Sequence, residues 1–346
     1  MRQLLFTVLL SFFGFLQGQG LIYVKDSSDQ REVITLTRST LASSVDYTKY
    51  TPTNYQQVGG TCVAHSFAKA RAILLNKRLN ETDNVKKLAH HFSPYFIYFN
   101  LTSPNDTGCS RGLNIETAAR FVLNYGLAPM VMVEYPSYYP FTQYCLGFPY
   151  PNRYPQYYSE DAQVAASYKF TSIYRLNTAY DVKYALNEGM AVVVGMTLTE
   201  EFAQTKVSTY SYGLYHRPIS QGHAMVVVGY SDYIMGGAFK IANSWGTQWG
   251  DNGFVWIDYN SFMKMLVVAY GCSDVSTMTY GAPPADTTAT APLAKFSDSI
   301  LQSPSFDTSS AKGVELIPSD DIKALKKKIK APKKYMMDLS AKKEGE

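Results

Sequence analysis

The sequence predicts an α+β fold of two lobes. Helical periodicity is confined to the first half of the chain, strand-like runs to the second, and beyond position 280 the composition turns to that of a linker. Positions 62–79 predict a helix, because Val63, Phe67, Ala70 and Leu74 fall at i, i+4, i+7 and i+11 on one apolar stripe. Lys69, Arg71 and Lys77 are left for its other faces. A second helix is predicted from Ile115 to Tyr125, with Ile115, Ala119 and Val122 on one face, Asn114 to cap its start and Gly126 to end it. A third covers 180–187, before Gly189. Strands are predicted at 191–198, 224–230, 239–242 and 253–258, short Val/Ile/aromatic runs parted by glycines and polar residues. One further strand-like piece, 33–36, precedes the first helix.

With 346 residues, 46% hydrophobic and 17% charged, the chain can bury a sizeable core and is neither disordered nor fibrous as a whole. The net charge of +4 belongs to its end. From position 322 to 346 nine lysines face three acids, and the remainder is slightly acidic at −2. The body therefore gives no ground for a nucleic-acid partner. The Lys-rich tail reads as a solvated, mostly disordered end, with weak contact to anionic surfaces as its alternative role. The four cysteines, Cys62, Cys109, Cys145 and Cys272, include no pair at finger or ribbon spacing, and no two histidines show zinc spacing with a nearby acid. Neither a metal nor an organic cofactor is expected.

The first twenty residues have the form of a signal peptide. Arg2 supplies a charge, 4–16 is an uncharged apolar run, and Gly18 and Gly20 offer small residues for cleavage after Gly20. A secreted, periplasmic or lysosome-like location follows. No other stretch reaches spanning length, so no integral membrane span is expected.

Three separated pieces meet one chemical specification. In Gln56-Gln57-Val58-Gly59-Gly60-Thr61-Cys62-Val63-Ala64-His65 a cysteine opens an apolar helix after two glycines. The helix N-terminus favours thiolate over thiol, so Cys62 is expected to titrate below an ordinary cysteine. Gly222-His223-Ala224 begins an apolar strand, and Asn243-Ser244-Trp245-Gly246-Thr247-Gln248-Trp249-Gly250 follows the next one. A nucleophilic cysteine needs a base, and the base an orienting partner; Cys62, His223 and Asn243 supply one of each. His65, one helical turn after Cys62, is the rival base.

These pieces resemble the papain-like cysteine peptidases, over roughly Ser44 to Ser273. The resemblance implies a helical left lobe, a β-barrel-like right lobe and an active-site cleft between them. It makes Cys62 the nucleophile, His223 its partner and Asn243 the acceptor that fixes the imidazole. Gln56 is placed at the oxyanion hole beside the Cys62 N–H, with Gln57 as its rival. Trp245 shields the His–Asn bond, Gly112 pairs with the substrate backbone, and Ala224, with Val194, lines the specificity pocket. His65 falls at a buried core position of the family. Apart from the resemblance, His90, His91 and His216 are expected at the surface, and Trp249 and Trp256 in packing rather than substrate contact. The domain plan is then a signal peptide (1–20), a short N-terminal segment (21–43), a peptidase domain (44–275), a Pro/Ser/Thr/Ala-rich linker (276–319) and the Lys-rich tail (320–346).

Departures from the family pattern carry information too. Gly59 stands where the family has a cysteine, so Cys109 lacks its usual mate. Either Cys109 pairs with Cys145 or both are unpaired, while Cys272 reads as a buried core thiol. Residues 21–43 are too few to fold as an independent inhibitor, so no long inhibitory propeptide is expected. The function implied is hydrolysis of peptide bonds in a peptide or protein substrate through a thioester acyl-enzyme, by an endopeptidase. An exopeptidase of the same fold and a non-enzymatic binding protein on a peptidase scaffold remain as alternatives.

Overall fold

The computed structural model describes residues 20–23, 40–102, 106, 109–133, 160–213 and 218–275. The targeting run up to residue 19, the piece at 33–36, Cys145, His216, and the linker and tail from 276 onward lie outside the described residues.

Two short strands come first, β1 (Leu21–Ile22) and β2 (Ser44–Asp46). The helical lobe follows: α1 (Cys62–Arg78), α2 (Asn84–Leu88), α3 (Pro94–Leu101), the two-residue β3 (Leu113–Asn114), α4 (Ile115–Tyr125) and α5 (Glu160–Ala166). After it come β4 (Ser172–Leu176), α6 (Ala179–Asn187), β5 (Ala191–Thr199), α7 (Glu200–Ala203), β6 (Thr209–Tyr210) and β7 (Pro218–Ser231). The chain then forms β8 (Ala238–Ala242), β9 (Phe254–Asp258), α8 (Tyr259–Met265) and β10 (Leu266–Ser273). Helices early and strands late is the order that the periodicity predicts.

Local chemistry explains the boundaries. Asn114 caps α4 by accepting from the Thr117 N–H at 2.9 Å, and Gly126, at φ +80°, ends it in a conformation that side chains avoid. Thr178 and Asp181 form a reciprocal capping box at the start of α6. Ser93 caps α3 and Pro94 occupies its first turn.

The sheet runs β4-β10-β5-β7-β8-β9-β6, with β2 added along β7 and β1 bridging β3 and β7. One apolar core lies among α1, α3 and α4, with Phe67, Phe96, Ile97 and Val122. A second, with Val194, Val226, Ile241 and Val255, lies on the sheet, and α1 reaches it through Ile73. No helix among the described residues is long and apolar enough to cross a membrane.

The apolar stripe predicted for α1 is present, but the other faces are not at the surface. Its first fifteen residues, Cys62 through Asn76, are all buried, Lys69 and Arg71 among them. Arg71 meets this condition with a full set of partners. Its guanidinium lies 3.2 Å from the Asp274 carboxylate, Nε donates to the Tyr168 carbonyl at 3.1 Å, and the rings of Phe92 and Tyr168 pack on it. Removing the carboxylate leaves a buried cation without a counter-charge, which handicaps the fold more than losing the whole pair. Asp274→Ala is therefore expected to lower stability by about 3 kcal/mol, read as a lower urea midpoint at unchanged slope. A midpoint within error of the parent's would contradict this role for the carboxylate.

Candidate active site

The turn that delivers Cys62 is shaped by a close approach. Gly59 has φ +56°, and a Cβ there would come within 2.4 Å of the Cys109 carbonyl oxygen. The Gly60 N–H donates to the same carbonyl at 2.6 Å. This crowding explains why glycine stands at 59, where a cysteine was the family pattern. Cys109 itself is disulfide-bonded, which answers the half of the pairing question that falls within the described residues. Cys272 is a buried thiol, as expected.

His223 lies on β7, opposite Met196 of β5, and Asn243 follows the end of β8. His223 Nε2 and Asn243 Oδ1 are 2.8 Å apart, and that oxygen also accepts from the Ser244 N–H at 2.7 Å. An amide oxygen only accepts, so the proton of this bond is on Nε2 and the lone pair of the neutral ring is on Nδ1. Nδ1 is buried and has no hydrogen-bond partner among the described residues. The Trp245 ring stacks on the imidazole at 4.5 Å and is itself buried, so it keeps water from the His–Asn bond. The backbone N–H of Ala224, next along β7, is directed so as to favour the charged form of the Cys62 sulfur. The strand that carries the imidazole thus touches the thiol.

The two glutamines separate clearly. Gln57 is buried, donates through Nε2 to the Gly59 carbonyl at 2.8 Å and accepts from Ser244 Oγ at 2.6 Å. Gln56 is exposed and forms a β-bridge with Trp245. Of the two, Gln56 is the exposed one, held beside Trp245 by its backbone bridge.

A family model described as papain family cysteine protease matches residues 41–271. This chain belongs to the papain family of cysteine proteases. An uncharacterized peptidase C1-like protein of Acanthamoeba polyphaga mimivirus is 27% identical over 243 residues, 67% of this chain and 68% of its own. Cathepsin C of Schistosoma mansoni is 25% identical over 222 residues, 59% of this chain but 43% of its own. Among solved structures, xylellain, a cysteine protease from Xylella fastidiosa, has a TM-score of 0.58 at 22% identity, covering 75% of this chain and 96% of its own. Procathepsin B of Trypanosoma congolense gives 0.54 at 18%, covering 75% and 87%. The fold is the papain-like α+β fold that the motifs implied.

In this papain-family chain the cleft is covered by the chain itself. β1 pairs parallel with β3 and antiparallel with β7, where Leu21 lies opposite Gly222. The Leu113 N–H donates to the Gly20 carbonyl at 2.8 Å, and the Gly20 N–H favours the charged form of the Cys62 sulfur. A Cβ on Gly112 would stand 2.3 Å from the Gly20 oxygen, so bare backbone is needed where these two segments meet. The Leu21 side chain packs onto Gly195 and Gly222. Residues 20–23 are held over Cys62 by strand pairing, which needs no independent core.

Other expectations are settled by the same geometry. Val193 belongs to the first core and Gly195 meets Leu21, whereas Val194, on the opposite face of β5, is buried in the second core. Val194 therefore does not line the cleft. Ala224 is fully buried and contributes its backbone. His65 is buried, as its position implied, but His91 is buried too and stacks on Tyr55, where a surface residue was expected. His90 is half-buried and bonds Asn76 Oδ1 at 2.6 Å. Trp249 packs between Phe202 and Trp245 and donates to the Phe202 carbonyl at 3.2 Å.

Covering the site sets its charge state. Burial pushes the Cys62 thiol up to about 11, against the downward pull of the N–H groups of Ala224, Gly20 and its own helix turn. Burial also brings His223 down to about 4, with the Asn243 bond opposing and the Lys69 charge adding. Between those values thiol and imidazole are both neutral. This departs from the low thiol pKa expected from the helix N-terminus, because the Cys62 thiol is fully buried. A Cβ on Gly20 would fall 1.7 Å from the Gly60 carbonyl oxygen, so Gly20→Val cannot keep the segment in place. In the full chain, Gly20→Val is expected to speed alkylation of Cys62 by iodoacetamide at neutral pH by at least ~10-fold, each unit of pKa being worth a factor of about ten in thiolate. Its pH midpoint should lie below the parent's. An unchanged rate would mean that residues 20–23 are not what shuts the site.

Proposed function

We propose that this papain-family protease is a secreted endopeptidase in which Cys62, His223 and Asn243 hydrolyse peptide bonds through a thioester. The observation that carries the reading is the 2.8 Å bond from His223 Nε2–H to Asn243 Oδ1, with Nδ1 left unpartnered on a strand that touches the Cys62 thiol. Once substrate displaces residues 20–23, the thiol proton passes to His223 Nδ1 and the thiolate attacks the peptide carbonyl. The Gln56 amide and the Cys62 N–H, at the first turn of α1, hold the oxyanion. The imidazolium gives its proton to the departing amine, leaving the thioester. Water then attacks, His223 takes the water's proton, and the C–S bond breaks to release the acid and return Cys62.

The way residues 20–22 lie supports the assignment of the substrate contacts. Gly112 meets a passing backbone without a side chain in the way, and Gly195 and Gly222 leave room for an aliphatic side chain where Leu21 packs. Signal-peptide cleavage after Gly20 would remove the residue whose N–H meets the Cys62 sulfur, so secretion and unmasking of the thiol would be linked.

Cys62→Ser and His223→Ala are expected to abolish cleavage of peptides blocked at both ends. Asn243→Ala should retain a remnant, down by about tenfold to a thousandfold, the range for a misoriented base. Full activity in Cys62→Ser would end the peptidase assignment of this site, and cleavage of free-ended peptides alone would make it an exopeptidase.

A further inference from the structure

Lys69 lies seven residues beyond Cys62 on α1, with its ammonium turned into the protein. Nζ donates to the main-chain carbonyl of Asn243 at 2.6 Å and to Asn54 Oδ1. Asn54 donates in turn to the Asn252 carbonyl at 3.1 Å, and the Asn243 N–H donates to the Gly253 carbonyl at 2.9 Å. Lys69 therefore ties three pieces together: the helix that carries Cys62, the lead-in before it, and the loop that runs from Asn243 to Gly253.

Both of its acceptors are neutral. A buried ammonium held by neutral oxygens is an expensive way to fill space, and an aliphatic side chain would pack the same volume without the desolvation. What the ammonium adds is direction. The Asn243 side chain fixes the imidazole through Oδ1, so the imidazole can be no better placed than the Asn243 main chain. That main chain is held on one side by Gly253 and on the other by Lys69. The titratable groups around Lys69 are His65 on its own helix, His91 ahead of α3, Tyr55 in the lead-in and His223 on β7. Burial brings Lys69 down to about 7. The ammonium and the free amine each have enough N–H groups for two acceptors, so the clamp persists through neutral pH.

We propose that Lys69 is a positioning residue for the hydrolysis, pinning the Asn243 backbone to the nucleophile's helix and so fixing the imidazole of His223 against Cys62. This rests on the Cys62–His223–Asn243 reading above.

The test compares Lys69→Met, which keeps length and loses both bonds, with Lys69→Gln, which keeps a shorter donor, in the full chain. For Lys69→Met we expect kcat to fall by about tenfold to a hundredfold with KM within about threefold, as for a misaligned catalytic group. Lys69→Gln should fall between Met and the parent. The proton on His223 Nε2, followed in protein labelled with 15N-histidine, should shift or broaden in both. A folded Lys69→Met with parental kcat overturns the proposal, and so does a loss confined to KM or to thermal stability with that resonance unmoved. If Lys69→Met does not fold, Lys69→Gln decides on the same two readouts. The resonance needs no turnover, so it judges Lys69 even if the parent cleaves nothing; the peptidase reading is judged separately by Cys62→Ser.

Discussion

A helix buried on every side must satisfy its polar groups inside the protein, and that requirement on α1 organises the site. Lys69 reaches the Asn243 carbonyl, Arg71 the Asp274 carboxylate and Tyr168 carbonyl, Asn76 the Tyr50 carbonyl, and Lys77 the Gly189 carbonyl. Each of these bonds runs to a segment distant in sequence. The helix that presents Cys62 is thereby referenced to the loop after β8, to the end of β10 and to the turn before β5. Position and orientation of the thiol relative to His223 follow from that set of bonds, since apolar packing alone would leave the helix free to slide by fractions of an ångström.

Two effects compete at the thiol, and their magnitudes decide the outcome. A helix N-terminus is worth about 0.3–1 kcal/mol to an anion, up to ~2 in sheltered geometry. Withdrawing an ion from water costs several kcal/mol. With residues 20–23 in place desolvation wins, and the Cys62 thiol rises while the His223 imidazole falls. Readmitting water relieves the desolvation while the dipole and the Asn243 bond remain. With that segment in place the Cys62 thiol and the His223 imidazole are both neutral, by desolvation.

The motif residues were legible because the chemistry demands particular types at particular local settings: a cysteine opening a helix after glycines, a histidine opening an apolar strand, an asparagine just past another. Helices α1, α4 and α6 and the strands β5, β7, β8 and β9 were legible from periodicity, whereas the shorter helices such as α3 were not. Burial of Lys69, Arg71 and His91 was not, because a charged or polar side chain in a helical pattern normally marks the solvent face. Only the partners reveal otherwise, and those lie far off in sequence, as Asn243 does from Lys69. β10 escaped notice because α8 runs into it at Met265–Leu266 with no turn residue between them. β1 is two residues long and exists only through its pairing with β3 and β7, so nothing in Leu21–Ile22 itself marks a strand.

The same bare backbone explains both what this cleft can accept and why the chain's own segment fits it. Gly112 on one wall and Gly222 on the other offer main chain where a side chain would collide with a passing strand. Recognition through N–H and C=O groups depends little on the sequence of the strand that enters, since every residue except proline carries both. Side-chain selection is left to the place where Leu21 packs against Gly195. On the function proposed, such a groove would take an extended chain with an aliphatic residue at that point. Residues 20–22 meet the condition at no cost in association entropy because they are already tethered. A free peptide must therefore displace a tethered competitor of the same chemical form. Occlusion by so short a segment is the expected companion of a cleft that grips backbone, and weakening it through Gly20 leaves the recognition surface itself intact.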